Sequence, residues 1–337
     1  MNRVADKLNR PLRDLRISVT DQCNFRCSYC MPREIFGPEY AFLPKDKVLS
    51  NEEIVFVAKS FAQLGVQKIR LTGGEPLLRP NLSELIAIIN TETSIKDISL
   101  TTNASLLPRY AQKLKDAGLK RINISLDSLD TDRFALMSGG RSSPEAVIRG
   151  IDAAEKAGLP VKINMVAKLG VNEQDILPMV SYFRGRKITL RFIEFMDVGE
   201  TNAWKMDQVV PAKRILETIG EHFQFEAVDP SYTGEVASRY RFLDTGSEFG
   251  IITSITSPFC GTCNRARISA EGKLFTCLFA SEGTDLRKHV RAGISQEEFT
   301  SLVSKIWISR DDQYSEDRSK GRPSRSNKKV EMSYIGG

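Results

Sequence analysis

The sequence predicts an α/β fold: an incomplete (β/α)6 barrel of the TIM type, with a smaller C-terminal α+β segment covering the barrel mouth. Three observations point there. Strand-like and helix-like stretches alternate six times before residue 200, and such alternation builds a parallel sheet with helices outside. Right-handed crossovers then curl the sheet towards a barrel. Beyond residue 200 the rhythm gives way to short β-like runs between Gly, Ser and Pro turns. Finally, the first cysteine loop, Gly73 and Gly74, Thr101 and Asn103, Ser125 and Asp127, and Met196 fall at the C-terminal ends of the predicted strands, where both barrels and open α/β sheets carry their sites. A flat, doubly wound sheet shares this rhythm, so the alternation alone leaves the two open.

Leu15 to Val19 alternates apolar and polar residues and reads as the first strand. It runs straight into a loop carrying Cys23, Cys27 and Cys30. Ser50 opens a helix, with Glu53 three residues on as a capping box. Ile54, Val57, Ala58, Phe61 and Leu64 follow at helical spacing, and Gly65 ends the run. The second strand, Val66 to Leu71, leads into Thr72-Gly73-Gly74-Glu75-Pro76, and a helix spans Asn81 to Ile89. Lys96 to Thr101 is the third strand and Leu106 to Ala117 its helix. Arg121 to Leu126 is the fourth strand, followed by a helix over Pro144 to Ala157. Val161 to Ala167, then a helix over Glu173 to Phe183, then a sixth strand over Lys187 to Phe195 complete the pattern. Pro211 to Glu221 reads as one more helix. Short β-like runs follow at Phe223 to Ala227, Arg239 to Leu243, Gly250 to Thr256, Ala266 to Ser269 and Lys273 to Leu278, and residues 295–307 read as a helix. From Arg318 to Lys329 there are six basic residues and no acidic one, among Ser, Gly and Pro, which suits a mobile tail. The expected division is 1–200 for the barrel, 201–310 for the C-terminal segment and 311–337 for the tail.

The chain of 337 residues carries 48 Lys and Arg against 42 Asp and Glu, a net charge of +6. That excess suits a small polyanion as well as a nucleic acid. No apolar run approaches a membrane span, and the polar first ten residues lack a signal-peptide core. A cytoplasmic protein with no membrane partner is therefore expected. The six cysteines form two groups of three, and clustered thiols in a reducing compartment point to metal rather than disulfides.

Cys23, Cys27 and Cys30 are spaced C-x3-C-x2-C. Three thiolates on one short loop can ligate three irons of a four-iron cluster, leaving the fourth open to a cofactor or substrate. A zinc site is the alternative, but zinc normally takes four ligands, and the only histidines, His222 and His289, lie far along the chain. The second group, Cys260 and Cys263 with Cys277 after a further thirteen residues, again offers three ligands and no histidine. Between its members lie Arg265 and Arg267, on one face if this run is a strand. Two adjacent guanidiniums suit a polyphosphate through bidentate hydrogen bonds; a solvated strand face is the plainer reading. Arg16, Arg70 and Lys162 add charge inside the predicted barrel, where a buried cation needs an anionic partner. Thr101, Ser125 and Met196 fall at strand ends, and pattern alone would not single out Ser125.

C-x3-C-x2-C followed by the Gly73-Gly74-Glu75-Pro76 run resembles the radical S-adenosylmethionine (SAM) superfamily. Cys-Gly-x-Cys-Asn-Arg-x-Arg over 260–267, Cys277 after a Gly-containing hairpin and a terminal Gly336-Gly337 sharpen this. Together they are similar to the GTP 3′,8-cyclase family of molybdenum cofactor biosynthesis, from about residue 10 to the C-terminus. The resemblance implies a lyase holding two [4Fe-4S] clusters, on Cys23, Cys27 and Cys30 and on Cys260, Cys263 and Cys277. It implies SAM contacts from Tyr29, Gly74, Ser125 and Met196. It assigns GTP to Arg16, Arg70, Thr101, Lys162, Arg265, Arg267 and the open iron of the second cluster. Reductive cleavage of SAM would give an adenosyl radical that takes the ribose 3′ hydrogen, and closure onto C8 of guanine would follow. No side chain acts as acid or base in this scheme. Gly336-Gly337 would reach into the site. The implied partners are a low-potential electron donor, cyclic pyranopterin monophosphate synthase downstream and, as family members are often dimers, a second copy. Two rival readings are a peptide-modifying radical SAM enzyme with an auxiliary cluster, and a zinc-stabilised nucleic-acid binder without enzymatic activity.

Overall fold

Backbone hydrogen bonding along the alternating segments produces the expected parallel sheet. The computed structural model describes residues 4–321 and 329–336. Its first six strands are β1 (Asp14–Ser18), β2 (Lys68–Thr72), β3 (Asp97–Thr102), β4 (Arg121–Ser125), β5 (Val161–Ala167) and β6 (Ile188–Glu194). They pair in chain order and all in parallel. In β5, Val161, Ile163, Met165 and Ala167 are buried on one face and Lys162, Asn164 and Val166 are half-buried on the other. Period-two alternation thus separates a helix-packed face from a face turned into the barrel. Helices Asn51–Gln63, Leu82–Glu92, Leu107–Asp116, Pro144–Lys156 and Ile176–Phe183 cover the outside. Ile54, Phe61, Leu85, Ile89, Leu114, Ile151 and Val180 from these helices join one continuous apolar core. The predicted capping box exists: the Glu53 N–H donates to Ser50 Oγ at 3.2 Å, and the Ser50 N–H donates to the Glu53 carboxylate at 2.8 Å.

The C-terminal segment supplies β7 (Phe225–Val228), β8 (Ser238–Phe242), β9 (Glu248–Ile252), β10 (Arg265–Ile268), β11 (Lys273–Phe275) and β12 (Thr284–Asp285). The twelve strands form one sheet in the order β12-β11-β10-β1-β2-β3-β4-β5-β6-β9-β8-β7. β10 pairs in parallel with β1, and β9 in parallel with β6, while the outermost strands are antiparallel. β1 and β6 never meet, so the barrel stays open on that side. The C-terminal segment covers the mouth by prolonging both free edges, each of which would otherwise present a row of unpaired N–H and C=O groups.

The helix Thr131–Ser138 was not expected from the sequence. Asp130 caps it, accepting the Arg133 N–H at 3.0 Å, and Gly139, at φ +78°, ends it. Its eight residues leave only a short periodic signal. Three further short helices, Arg287–Arg291, Tyr314–Ser319 and Met332–Ile335, escaped for the same reason. The expected mobile tail falls largely on residues 322–328, outside the described residues. The two ends of that stretch are anchored: Arg318 and Lys329 both bind the Asp197 carboxylate, Lys329 Nζ at 2.8 Å. No helix among the described residues is long and apolar enough to cross a membrane.

Candidate active site

The first cysteine loop leaves β1 and is wrapped around a buried arginine. Arg26 donates to the carbonyls of Cys23 (2.7 Å), Phe25 (2.7 Å) and Phe36 (2.6 Å). The loop is clamped from outside by the Thr131–Ser138 helix, whose Ser138 and Met137 carbonyls accept the Arg26 and Ser28 N–H groups at 3.0 and 2.9 Å. It is clamped from below by the end of β2, where the Gly74 N–H donates to the Thr20 carbonyl at 2.8 Å and Glu75 N–H to Gln22 at 2.7 Å. This contact explains the glycine pair. A Cβ on Gly73 would lie 2.4 Å from the Thr20 oxygen, and one on Gly74 2.1 Å from the Gln22 oxygen. The glycines admit the backbone of the cysteine loop itself, beyond any room they leave for a ligand. Glu75, buried between strand ends, accepts from Thr102 Oγ1 (2.6 Å), the Asn103 N–H (2.8 Å) and the Leu77 N–H (3.1 Å). Burial pushes its carboxyl up to about 7 despite those donors.

The second group is built where β10 and β11 meet the chain end. Cys260 lies in a single turn, Cys263 precedes β10, and Cys277 follows β11. The six thiols are free, and all of them line one cavity at the barrel mouth. No three of the described Cys, His, Asp or Glu side chains converge as ligands to a single ion would; a four-iron cube presents its ligand positions further apart. Burial drives the Cys23 thiol up to about 11, Cys27 and Cys30 well above the usual thiol range, and Cys277 to about 12. Bound metal reverses that preference by its own charge. Cys263 differs: burial pushes it up, but Arg265 and Arg310 outweigh burial and bring it down to about 6.

The same cavity is lined by Tyr29, Gly74, Ser125, Met196, Arg16, Arg70, Thr101, Arg265 and Arg267. Lys162 borders an adjoining hollow deeper in the barrel, which shares Arg16, Arg70 and Arg265 with the first. The fold thus brings every sequence-predicted site residue to one connected set of walls. Parallel register sets the charges side by side: Arg16 on β1 lies level with Arg70 on β2 and with Arg267 on β10. Arg191, level with Asn164 across β5 and β6, lines both hollows and was missed by sequence reading. The alternation that placed Lys162 inward would have found it on the next strand. Burial first, and the neighbouring cations after it, lower Arg16 and Arg70, bring Arg267 down to about 10 and, with Arg70, bring Arg191 to about 9. The Nε groups of all four, Thr101 Oγ1 and Asn164 Oδ1 are buried without a hydrogen-bond partner. Such groups are costly to leave unmet, and their donors fit a polyanion.

Tyr29 is fixed by Asp127, which the sequence places at the end of the fourth strand without a role: its Oη donates to Asp127 at 2.9 Å, and Asp127 also accepts the Val166 N–H at 2.9 Å. Burial raises Asp127 to about 6. The chain end approaches the same mouth. Met332 lines the cavity, Ile335 is buried, and a Cβ on Gly336 would lie 2.2 Å from Thr72 Cγ2 and 3.1 Å from Ser18 Oγ. Gly337 lies outside the described residues.

Residues 17–183 match the family model of the radical SAM superfamily, and residues 188–316 match that described as Molybdenum Cofactor Synthesis C. The chain is 49% identical over 336 residues to the GTP 3′,8-cyclase of Staphylococcus haemolyticus, covering 99% of each chain. It is 48% identical over 339 residues to that of Staphylococcus carnosus, covering both in full. In three dimensions it is similar to SAM-bound Streptococcus suis SuiB, with a TM-score of 0.64 at 16% identity over 95% of this chain and 71% of that one, a likeness of fold. Identity of this extent along the whole length, with both thiol triads and the intervening cations opening into one space, makes the chain a member of the GTP 3′,8-cyclase family of the radical SAM superfamily.

Proposed function

We propose that this chain cyclises GTP to 3′,8-cyclo-7,8-dihydro-GTP, the first step of molybdenum cofactor biosynthesis. The observation that carries the proposal is the shared cavity: two cysteine triads and buried arginines with unmet donors line it together. Cys23, Cys27 and Cys30 would hold one [4Fe-4S] cluster, and Cys260, Cys263 and Cys277 the other, each leaving one iron without a protein ligand. When bound, the first cluster with SAM supplies hydrogen abstraction and the second supplies a coordination site for the guanine edge.

The protein's own residues hold and orient. Tyr29, Gly74, Ser125 and Met196 would contact SAM, with Tyr29 held in place through Asp127. Arg16, Arg70, Lys162, Arg265 and Arg267, joined by Arg191, would neutralise the triphosphate, and Thr101 would donate to the nucleotide through its unmet hydroxyl. Burial makes these charge-assisted bonds strong, and a closed mouth keeps water from a reactive intermediate. The chain end at Gly336 would complete that closure. The reading also carries a low-potential electron donor, a downstream cyclic pyranopterin monophosphate synthase, a homodimer and a cytoplasmic setting. Residues 1–200 would act as the SAM barrel, 201–310 as the carrier of the second cluster and 311–337 as the tail. Family membership leaves the peptide-modifying and zinc-binding readings without support.

The test is an anaerobic incubation of the purified chain with SAM, dithionite and GTP. Equal amounts of 5′-deoxyadenosine and cyclised GTP are expected, with ATP giving no cyclised product. In parallel, Arg70→Ala and Arg267→Ala should each weaken GTP binding by roughly tenfold or more, the weight of one charged hydrogen bond, at undiminished iron content. GTP consumption without cyclisation, or equal turnover of ATP, would refute the function; undiminished GTP affinity in both variants would refute the cation assignment.

A further inference from the structure

The second cysteine group rests on a quartet of charges, three of them buried, drawn from the two ends of the described chain. Asp6, Arg10 and Arg310 have side chains no more than 1% exposed, and Asp312 completes the set. Arg10 Nε donates to Asp6 at 2.6 Å, Arg310 Nη1 to the same Asp6 oxygen at 3.4 Å, and Arg310 Nε to Asp312 at 3.1 Å. Two cations and two anions cancel, yet burying three of these charges gives little stability compared with apolar packing. What distinguishes this network is where its remaining donors end. Arg10 Nη1 donates to the Cys260 carbonyl at 3.0 Å. Arg310 Nη1 donates to the Cys263 carbonyl at 2.8 Å, and its Nη2 reaches Cys263 Sγ at 3.4 Å. Asp312 accepts from Thr276 Oγ1, beside Cys277, at 2.7 Å. The quartet therefore touches the backbone or the neighbour of each cysteine in the group. Its members come from both ends of the chain, stapled by Trp307, whose Nε1 donates to the Arg10 carbonyl at 3.0 Å.

We infer that Asp6, Arg10, Arg310 and Asp312 form a charged buttress that positions the second cysteine cage, and that Arg310, through its N–H donated to Cys263 sulfur, raises the reduction potential of the cluster held there. This rests on the reading of Cys260, Cys263 and Cys277 as a cluster cage. Outer-shell partners of metal ligands fix ligand orientation, and their loss costs metal affinity. Hydrogen bonds and positive charge at a cluster sulfur favour the more electron-rich state, so they shift its potential upwards. Arg310 is a positioning residue, since it acts through the Cys263 sulfur and carbonyl to which it donates.

The experiment uses the full chain carrying Cys23→Ala, Cys27→Ala and Cys30→Ala, so that only the second cage can load. Iron content, iron loss to a chelator and the midpoint potential from an electron paramagnetic resonance titration are read in this parent and in Arg310→Met, Arg310→Lys and Asp6→Asn. Arg310→Met should show a more negative potential and lose iron about tenfold faster. Arg310→Lys keeps the charge but cannot span Cys263 and Asp312, so its potential should fall less while its iron loss quickens. If Arg310→Met does not fold, Asp6→Asn carries the test, with faster iron loss expected. Parental potential and iron retention in every folded variant would overturn the inference. A parent that binds no iron would overturn the cage reading beneath it.

Discussion

Lys162 is held in a hollow already crowded with guanidiniums. Burial first, and the Arg191 charge after it, bring its ammonium down to about 8 from the usual 10.5. The unfolded chain keeps that proton up to about 10.5, whereas the free folded chain releases it near 8. The group thus opposes folding below pH 8, and the opposition fades as pH rises from 8 to 10.5. A bound triphosphate would favour the charged form, so nucleotide affinity should run the other way. Isothermal titration of GTP against the loaded protein should show affinity falling about fifteenfold between pH 8 and 9.5, within the tenfold per pH unit that one linked proton allows. Lys162→Arg should flatten that profile; a wild-type slope in the variant would free Lys162 of the role. At this scale the cysteines were legible because few chemistries use three thiols on one loop. Arg191 was marked only by its place in the alternation of β6, since a single arginine on a strand carries no motif of its own.

The glycine pair after β2 is an element-level device: it sets how closely the strand end can approach the cysteine loop. Gly74→Ala would drive a methyl group to 2.1 Å from the Gln22 carbonyl and 3.0 Å from that of Asp21, both backbone atoms with little freedom to yield. The loop must shift, and with it Cys23. The expected result is loss of the first cluster with retention of the second, seen as iron per chain falling by about half while the fold, by circular dichroism, persists. Full iron loading would show that the loop absorbs the shift. Most elements were readable in order, since helical and strand periodicities are long-range signals within a segment. The helix Thr131–Ser138 was not, although the Asp130 cap and the Gly139 stop were both present. Its importance lies in what it clamps, the Arg26 and Ser28 amides, and no local pattern reports that.

Across the whole molecule, Asp197 ties the end of the barrel to the end of the chain. It follows Met196 at the cavity and accepts from Tyr314 Oη at 2.6 Å, from Lys329 Nζ at 2.8 Å and from Arg318. Glu331 adds a second tie, accepting from the Glu200 N–H at 2.9 Å and Thr201 Oγ1 at 2.7 Å. Asp197→Ala should release this chain end: limited proteolysis after Tyr314 should quicken, and GTP turnover should fall by roughly tenfold, while both clusters load. Unchanged protease sensitivity would show that Glu331 and the buried Ile335 suffice. Breaking a largely buried, multiply bonded carboxylate is expected to cost about 3 kcal/mol or more locally.

By itself the sequence determined the barrel rhythm, the two thiol groups and the sign of the charge between them. Those properties are carried by residue type and by spacing along one segment. Only the tertiary structure decided that the C-terminal strands prolong both edges of the barrel, that Arg267, Arg16 and Arg70 stand in one row, and that Asp6 and Arg310 meet beneath Cys263. Each depends on pairing between segments tens to hundreds of residues apart, where the energetic gain comes from closing open sheet edges and pairing buried charge. Neither gain leaves a periodic trace in the chain.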